Sequence, residues 1–227
     1  HVDAAQSLGK LAINVDDLGV DLLSMSAHKL HGPKGIGGLY VRQRPKARLL
    51  AQIHGGGHEL GLRSGTLAPH QVAGFAAACE LAANDMLAEQ ARVAHLRDRL
   101  WDAIATLRGV IRNGDPKNTV AGILNISIEG VHGEALLAAV SGGKHALAVS
   151  SGSACSAARA ESSYVLRALG RESELAAASL RLSLGRFTSE QHIDDAAQKI
   201  RHEVERLRVL SPLWPLWSHS PDVATPA

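Results

Sequence analysis

Leu124, Ile126 and Ile128 alternate with Asn125 and Ser127 in "GILNISIEG", the two-residue period of a strand with one buried face. The period returns in "SLRLSLG", where Leu180, Leu182 and Leu184 face one way and Arg181 and Ser183 the other. Elsewhere the spacing changes to three and four. Val93, Leu96, Leu100, Ile104 and Leu107 form one helical stripe, with Arg92, Arg97, Asp98, Arg99 and Asp102 on other faces. "HGEALLAAV" reads as a helix, and "SSYVLRALG" as a short one with serine at its start and Gly170 as its stop. "TSEQ" offers a capping box for a last helix carrying Ile193, Ile200, Val204 and Leu207. The tail from Ser211 holds too much proline for regular structure.

The first third has a different pattern. "HVDAAQ" opens as a strand, and "VDLLSMS" (20–26) and "IGGLYV" (36–41) are apolar runs of strand length with a glycine-rich turn between them. Residues 70–83 read as a helix of small residues that Asn84 and Asp85 interrupt. The expected class is α/β. Residues 1–85 read as the closing part of a large α/β domain, 86–210 as a smaller α+β domain, and 211–227 as an irregular tail. No internal repeat is visible.

Composition narrows the function classes. With 227 residues, 45% of them hydrophobic, the chain can bury one large core or two small ones. A net charge of +2 supplies no global field for nucleic acid or a membrane surface, so neither is an expected partner. The longest apolar stretch, around "VAGFAAACELAA", is too short to span a bilayer. Cys79 and Cys155 lie in unlike settings and build no disulfide framework, which suits the reducing cytoplasm. No signal peptide is visible. The chain starts at His1, inside what reads as a strand, which suggests a fragment, a processed form or a partial record.

"SMSAHKLHGPKG" holds the candidate chemistry. Lys29 follows an apolar strand and precedes a tight turn, the strand end where ligands gather in open α/β sheets. An amine held there can form a Schiff base, and Ser26 and His28 can donate hydrogen bonds to a phosphate. A carbonyl cofactor bearing a phosphate would use all three, which describes pyridoxal phosphate (PLP). Its ring nitrogen must stay protonated, and Asp3 ends the preceding strand where a carboxylate could do this. Gln6, one turn later, could bond the ring hydroxyl oxygen.

With these residues in order, "HVDAAQSLGKL", "SMSAHKLHGPKGIGGLYVR", "GGGHELGLRSGT" and "SSGSACSAA" resemble the motifs of cysteine desulfurases. These are class V PLP enzymes of transferase fold type I, and the match is to the NifS/IscS branch that serves iron–sulfur cluster assembly. The resemblance runs from residue 1 to about residue 215. It implies the C-terminal part of the large mixed-sheet domain plus a small α+β domain. It implies Lys29 as the cofactor lysine, Asp3 as the ring-nitrogen partner and Gln6 as the phenolic-oxygen partner, with Ser26 and His28 on the phosphate. Thr66, in "RSGT", would reach the phosphate of the neighbouring subunit in a homodimer.

The resemblance also implies the reaction. L-cysteine would lose its sulfur to Cys155, leaving L-alanine and a persulfide, and an iron–sulfur scaffold protein or other acceptor would take the sulfur onward. Cys155 sits in a Gly/Ser-rich run at about 143–158 that suits a mobile loop, whereas Cys79 lies mid-helix and reads as packing. Arg181, on the polar face of its strand, would clamp the substrate carboxylate. No resident metal is expected, with Cys155 a candidate ligand for an iron–sulfur cluster in transit. His54, His58 and Glu59 do not make the usual helical zinc motif, because three consecutive glycines oppose a helix. Trp214 and Trp217 either anchor a docked scaffold protein or pack back onto the small domain.

Two other readings remain. A selenocysteine lyase or aminotransferase could use the same scaffold, although a transaminase has no use for Cys155. Compared with the family, the chain lacks the N-terminal part that would carry the rest of the phosphate loop and the histidine that stacks on the ring. A non-catalytic, partner-binding remnant of the family is therefore the alternative from another class.

Overall fold

The computed structural model describes residues 1–44, 47–151, 163–212 and 214. The chain falls into two compact units, His1–Glu89 and Gln90–Ala227.

In the first unit β1 (Val2–Asp3), β2 (Leu22–Ser26) and β3 (Gly37–Val41) form one sheet in that order, β1 parallel and β3 antiparallel to β2. α1 (Pro69–Ala105) comes next and runs through the division between the units. The interruption expected at Asn84 and Asp85 is absent, because the helix is continuous there. Both residues are exposed, and each costs a helix only about 0.7 kcal/mol relative to alanine, less than the surrounding turns return. The small residues of the first half have a packing reason. Ala78 is buried, and a Cβ added at Gly74 would stand 2.7 Å from Pro33 Cγ, so only glycine lets the helix pass that turn.

The second unit is built on β4 (Val110–Arg112), β5 (Ile123–Ile128), α2 (Gly133–Ser141), β6 (Ser150–Ser151), α3 (Tyr164–Ala168), α4 (Ser173–Ala177), β7 (Ser179–Ser183) and α5 (Glu190–Leu210). Its antiparallel sheet has the order β4-β5-β7-β6. Leu124, Ile126 and Ile128 join Leu180 and Leu182 in the core, beneath Leu96, Leu100 and Ile104 of α1, Leu136 and Val140 of α2, and Ile193, Ile200 and Val204 of α5.

Helix ends agree with the local sequence chemistry in one case and depart from it in another. Gly170 adopts φ +81°, and its N–H and that of Arg171 reach back to Arg167 O and Leu166 O, a Schellman stop for α3. The box of α5 lies one residue later than "TSEQ" implies. Ser189 is the cap and His192 closes the box, each bonding the other's backbone N–H at 3.3 Å. Thr188 is occupied in the preceding turn, where its Oγ1 accepts from Gly185 N at 3.0 Å. β4 and α4 have no sequence signal of their own, being three and five residues long.

Beyond α5, Trp214 packs back. Arg208 Cζ lies 3.9 Å from its ring centroid, and a side chain at Gly130 would collide with the ring. Arg208, 6% exposed, donates to Glu129 O (2.9 Å) and Arg108 O (2.7 Å), and burial pushes its pKa down to about 10. Trp217 lies outside the described residues. Arg208→Ala should cost about 2–4 kcal/mol in urea unfolding, since it leaves two carbonyls without a donor. Arg208→Lys should recover only part of that, because one amine cannot serve both carbonyls and stack.

Glu203 accepts from Lys199 Nζ (3.0 Å) and Arg206 Nε (2.8 Å), which, Arg206 first, hold its carboxyl below the ordinary 4.5. A depressed carboxylate contributes stability above its unfolded value and loses it as the pH falls through the folded one. Glu203→Gln should therefore lower Tm at pH 7, and the difference should close as the pH falls below the ordinary 4.5 and through the depressed folded value.

Candidate functional site

In the first unit the polar residues singled out at the start of the chain follow or end two strands that finish on the same side. β1 and β2 are parallel, with Val2 opposite Leu23 and Asp3 opposite Ser24, so both strands end on the same side. The apolar side chains at that end, Leu23 and Ala4, are buried, whereas Asp3, Gln6, His28 and Lys29 stand exposed. A single 3-10 turn, Ala27–Leu30, carries His28 and Lys29 off the end of β2. His31 then takes a left-handed φ of 66°, and Gly32 N closes the turn onto Ala27 O at 3.0 Å. Gln71 of α1 braces the next turn of the chain, donating from Nε2 to Lys34 O at 2.9 Å.

The donors of this group suit a phosphorylated pyridine. Ser26 Oγ and His28 Nδ1 lie 2.7 Å apart. If the hydroxyl donates, His28 keeps Nε2–H as an outward donor; if the ring donates, the serine hydroxyl is left to donate. Either tautomer leaves a donor for a phosphate oxygen. Asp3 Oδ1 accepts from Ala5 N at 2.9 Å, and among the described residues its other oxygen has no partner, which suits a ring N–H. Gln6 Oε1 receives Lys10 Nζ at 3.5 Å, which leaves the amide N–H groups to donate. Lys29 makes no ion pair among the described residues.

Thr66 is exposed in the loop before α1, and among the described residues no hydrogen bond joins it to this group. That loop comes after a glycine-rich turn closed on itself: Gly56 N donates to Ser64 Oγ (2.8 Å) and Gly65 N to His58 Nδ1 (3.4 Å). His58 thus serves the backbone. The Cys79 thiol is half-buried, and burial pushes its pKa up, which favours packing over reactivity. Cys155 lies outside the described residues.

Arg181 belongs to the second unit, on the sheet face turned from the core. Its guanidinium makes one hydrogen bond, Nη2 to Ser150 Oγ at 3.3 Å, and no ion pair among the described residues. Ser150 stands opposite Arg181 in the β6–β7 ladder. The sequence does not single it out, because a two-residue strand has no period to read.

The sequence pattern described as Aminotransferase class-V matches residues 1–195. The chain is 53% identical over 225 residues to the cysteine desulfurase IscS of Aeromonas hydrophila subsp. hydrophila, covering 99% of this chain and 55% of that protein. IscS of Serratia proteamaculans is 53% identical over 223 residues, 98% of this chain and 54% of the relative. The chain thus spans about half the length of the curated relatives it matches. Among solved structures, a NifS-like protein aligns with a TM-score of 0.78 at 32% identity, covering 91% of this chain and 52% of its own. The NifS-like protein of Rickettsia africae aligns at 0.80 and 25% identity, covering 89% and 52%. The fold is that of these proteins, α/β with mixed sheets in PLP fold type I, and the chain belongs to the class-V aminotransferase family.

Proposed function

We propose that this chain carries the cofactor lysine and the sulfur-accepting cysteine of a PLP-dependent cysteine desulfurase. The observation that supports the reading is the parallel pairing of β1 and β2, which end on the same side with Asp3 on one and Ser26, His28 and Lys29 at or just past the end of the other. It is supported by the likeness to IscS relatives along nearly the whole chain.

Lys29 would hold the cofactor, with Asp3 at its ring nitrogen, Gln6 at its phenolic oxygen, and Ser26 and His28 on its phosphate. When bound, PLP supplies an electron sink for the substrate's Cα. Arg181 would fix the α-carboxylate of L-cysteine. Cys155 would attack the substrate sulfur as a thiolate, so that an S–S bond forms while the Cβ–S bond breaks. The electron pair left on carbon takes up a proton, giving L-alanine and a persulfide on Cys155. That sulfur would pass to an iron–sulfur scaffold protein or another acceptor in the cytoplasm. The working form would be a homodimer in which Thr66 reaches the partner's phosphate. No helix among the described residues is long and apolar enough to cross a membrane.

Visible absorption after PLP addition tests the lysine. The chain should show a band that Lys29→Ala abolishes, while Cys155→Ser should keep it. Given L-cysteine and a thiol reductant, the chain should release alanine and sulfide, and Cys155→Ser should reduce both about a hundredfold or more. Absence of the band would favour a non-catalytic, partner-binding role. A band with equal turnover in Cys155→Ser would remove the sulfur-relay role from that residue.

A further inference from the structure

The polar face of the second unit's sheet carries a relay of side-chain hydrogen bonds outside the roles given above. Arg171 Nε donates to Asn113 Oδ1 at 2.7 Å, and Arg171 Nη2 to Arg112 O at 3.3 Å. Asn113 Nδ2 donates in turn to Asn125 Oδ1 (2.7 Å) and Ser127 Oγ (2.8 Å). The direction is forced from one end. A guanidinium has no acceptor, so Asn113 must turn its oxygen toward Arg171 and its amino group toward Asn125. Asn125 must then turn its oxygen toward Asn113. The amino group at the end of the relay, Asn125 Nδ2, has no acceptor among the described residues.

Asn125 stands directly opposite Arg181 across β5 and β7, so the two side chains rise from the same face with Cβ atoms about 5 Å apart. Among the described residues Arg181 has spent only one N–H, on Ser150. Among the described residues, two half-buried donors therefore stand side by side with N–H groups to spare. Donors gathered in this way are costly to leave unmet, and a planar carboxylate with lone pairs on both oxygens meets them.

We infer that Asn125 is a specificity residue whose side-chain N–H joins Arg181 in holding the carboxylate of an α-amino acid, with Asn113 and Arg171 as positioning residues. The inference rests on the reading of Arg181 as the carboxylate anchor. A guanidinium engages a carboxylate through two parallel bonds, and the amide adds a third from the neighbouring strand. The relay gives the amide its orientation, since an asparagine free to flip would present its oxygen to the carboxylate half of the time.

The test is NMR titration of the full 15N-labelled chain with L-alanine, using L-alaninamide, which lacks the carboxylate, as the control. L-alanine should move the Asn125 side-chain amide and Arg181 Nε–H peaks saturably, and L-alaninamide should not. Followed at Arg181 Nε–H, Asn125→Ala should weaken binding about tenfold. Arg171→Lys should bind as the unaltered chain does, because lysine also only donates. Arg171→Glu should weaken binding to a similar extent as Asn125→Ala, because a carboxylate reverses every donor in the relay. Binding as tight in Asn125→Ala as in the unaltered chain overturns the inference, and if Arg181→Gln still abolishes it the Arg181 reading stands. Binding unchanged in Arg181→Gln overturns that reading and the inference together, as does a chain whose peaks L-alanine leaves unmoved.

Discussion

The second unit depends on the pairing of β5 with β7. Leu124 faces Leu182, Asn125 faces Arg181 and Ile126 faces Leu180, so aliphatic and polar pairs alternate along the ladder. A slip of one residue would turn every leucine toward solvent and drive a guanidinium into the core. Burying an unpaired charge costs more than the strand pair could return, so the register has one solution. The same alternation divides the sheet into a face that packs and a face that is polar. Leu180 and Ile126 sit at 0% exposure under α1, α2 and α5, and one residue along each strand Asn125 of the polar relay stands opposite Arg181.

The first unit rests on backbone proximity more than on aliphatic bulk. Parallel strands cannot be joined by a hairpin, and residues 4–21 make the crossover from β1 to β2. Arg42 clamps the end of that crossover, donating to Val15 O (2.8 Å), Val20 O (2.9 Å) and Asp16 Oδ1 (2.8 Å). The crossover brings the carboxyl end of β1 beside that of β2, which places Asp3 and Lys29 at one edge. Small residues of α1 then approach the turn after Lys29 closely enough for Gln71 to reach Lys34 O.

Arg208 and Arg181 differ in how their donors are met. Arg208 has lost its water, but two backbone carbonyls take its donors and Trp214 covers its face. Arg181 is half-buried with one hydrogen bond among the described residues, and its cross-strand neighbours on both sides, Asn125 and Ser150, are polar. The two residues are alike in the sequence, and only the supply of acceptors around each distinguishes them.

Much of the fold is legible in the residues alone. The two-residue period of "GILNISIEG" and "SLRLSLG" specifies strands and their inner faces, because pleat geometry leaves no other way to bury every second residue. The motif around Lys29 suggests its chemistry through residue types and their order. Helix continuity through Asn84 and Asp85, the shift of the α5 cap to Ser189 and the return of Trp214 onto Arg208 are not legible there. Each is decided by a group distant in sequence or by a turn of three or four residues, too short to show a period. The relay from Arg171 to Asn125 belongs to the same class, since its members lie on two loops and one strand that only the tertiary structure brings together. Periodicity determined which residues share a face; tertiary structure decided which donors on that face found acceptors, because a hydrogen bond depends on distance in space and not on spacing along the chain.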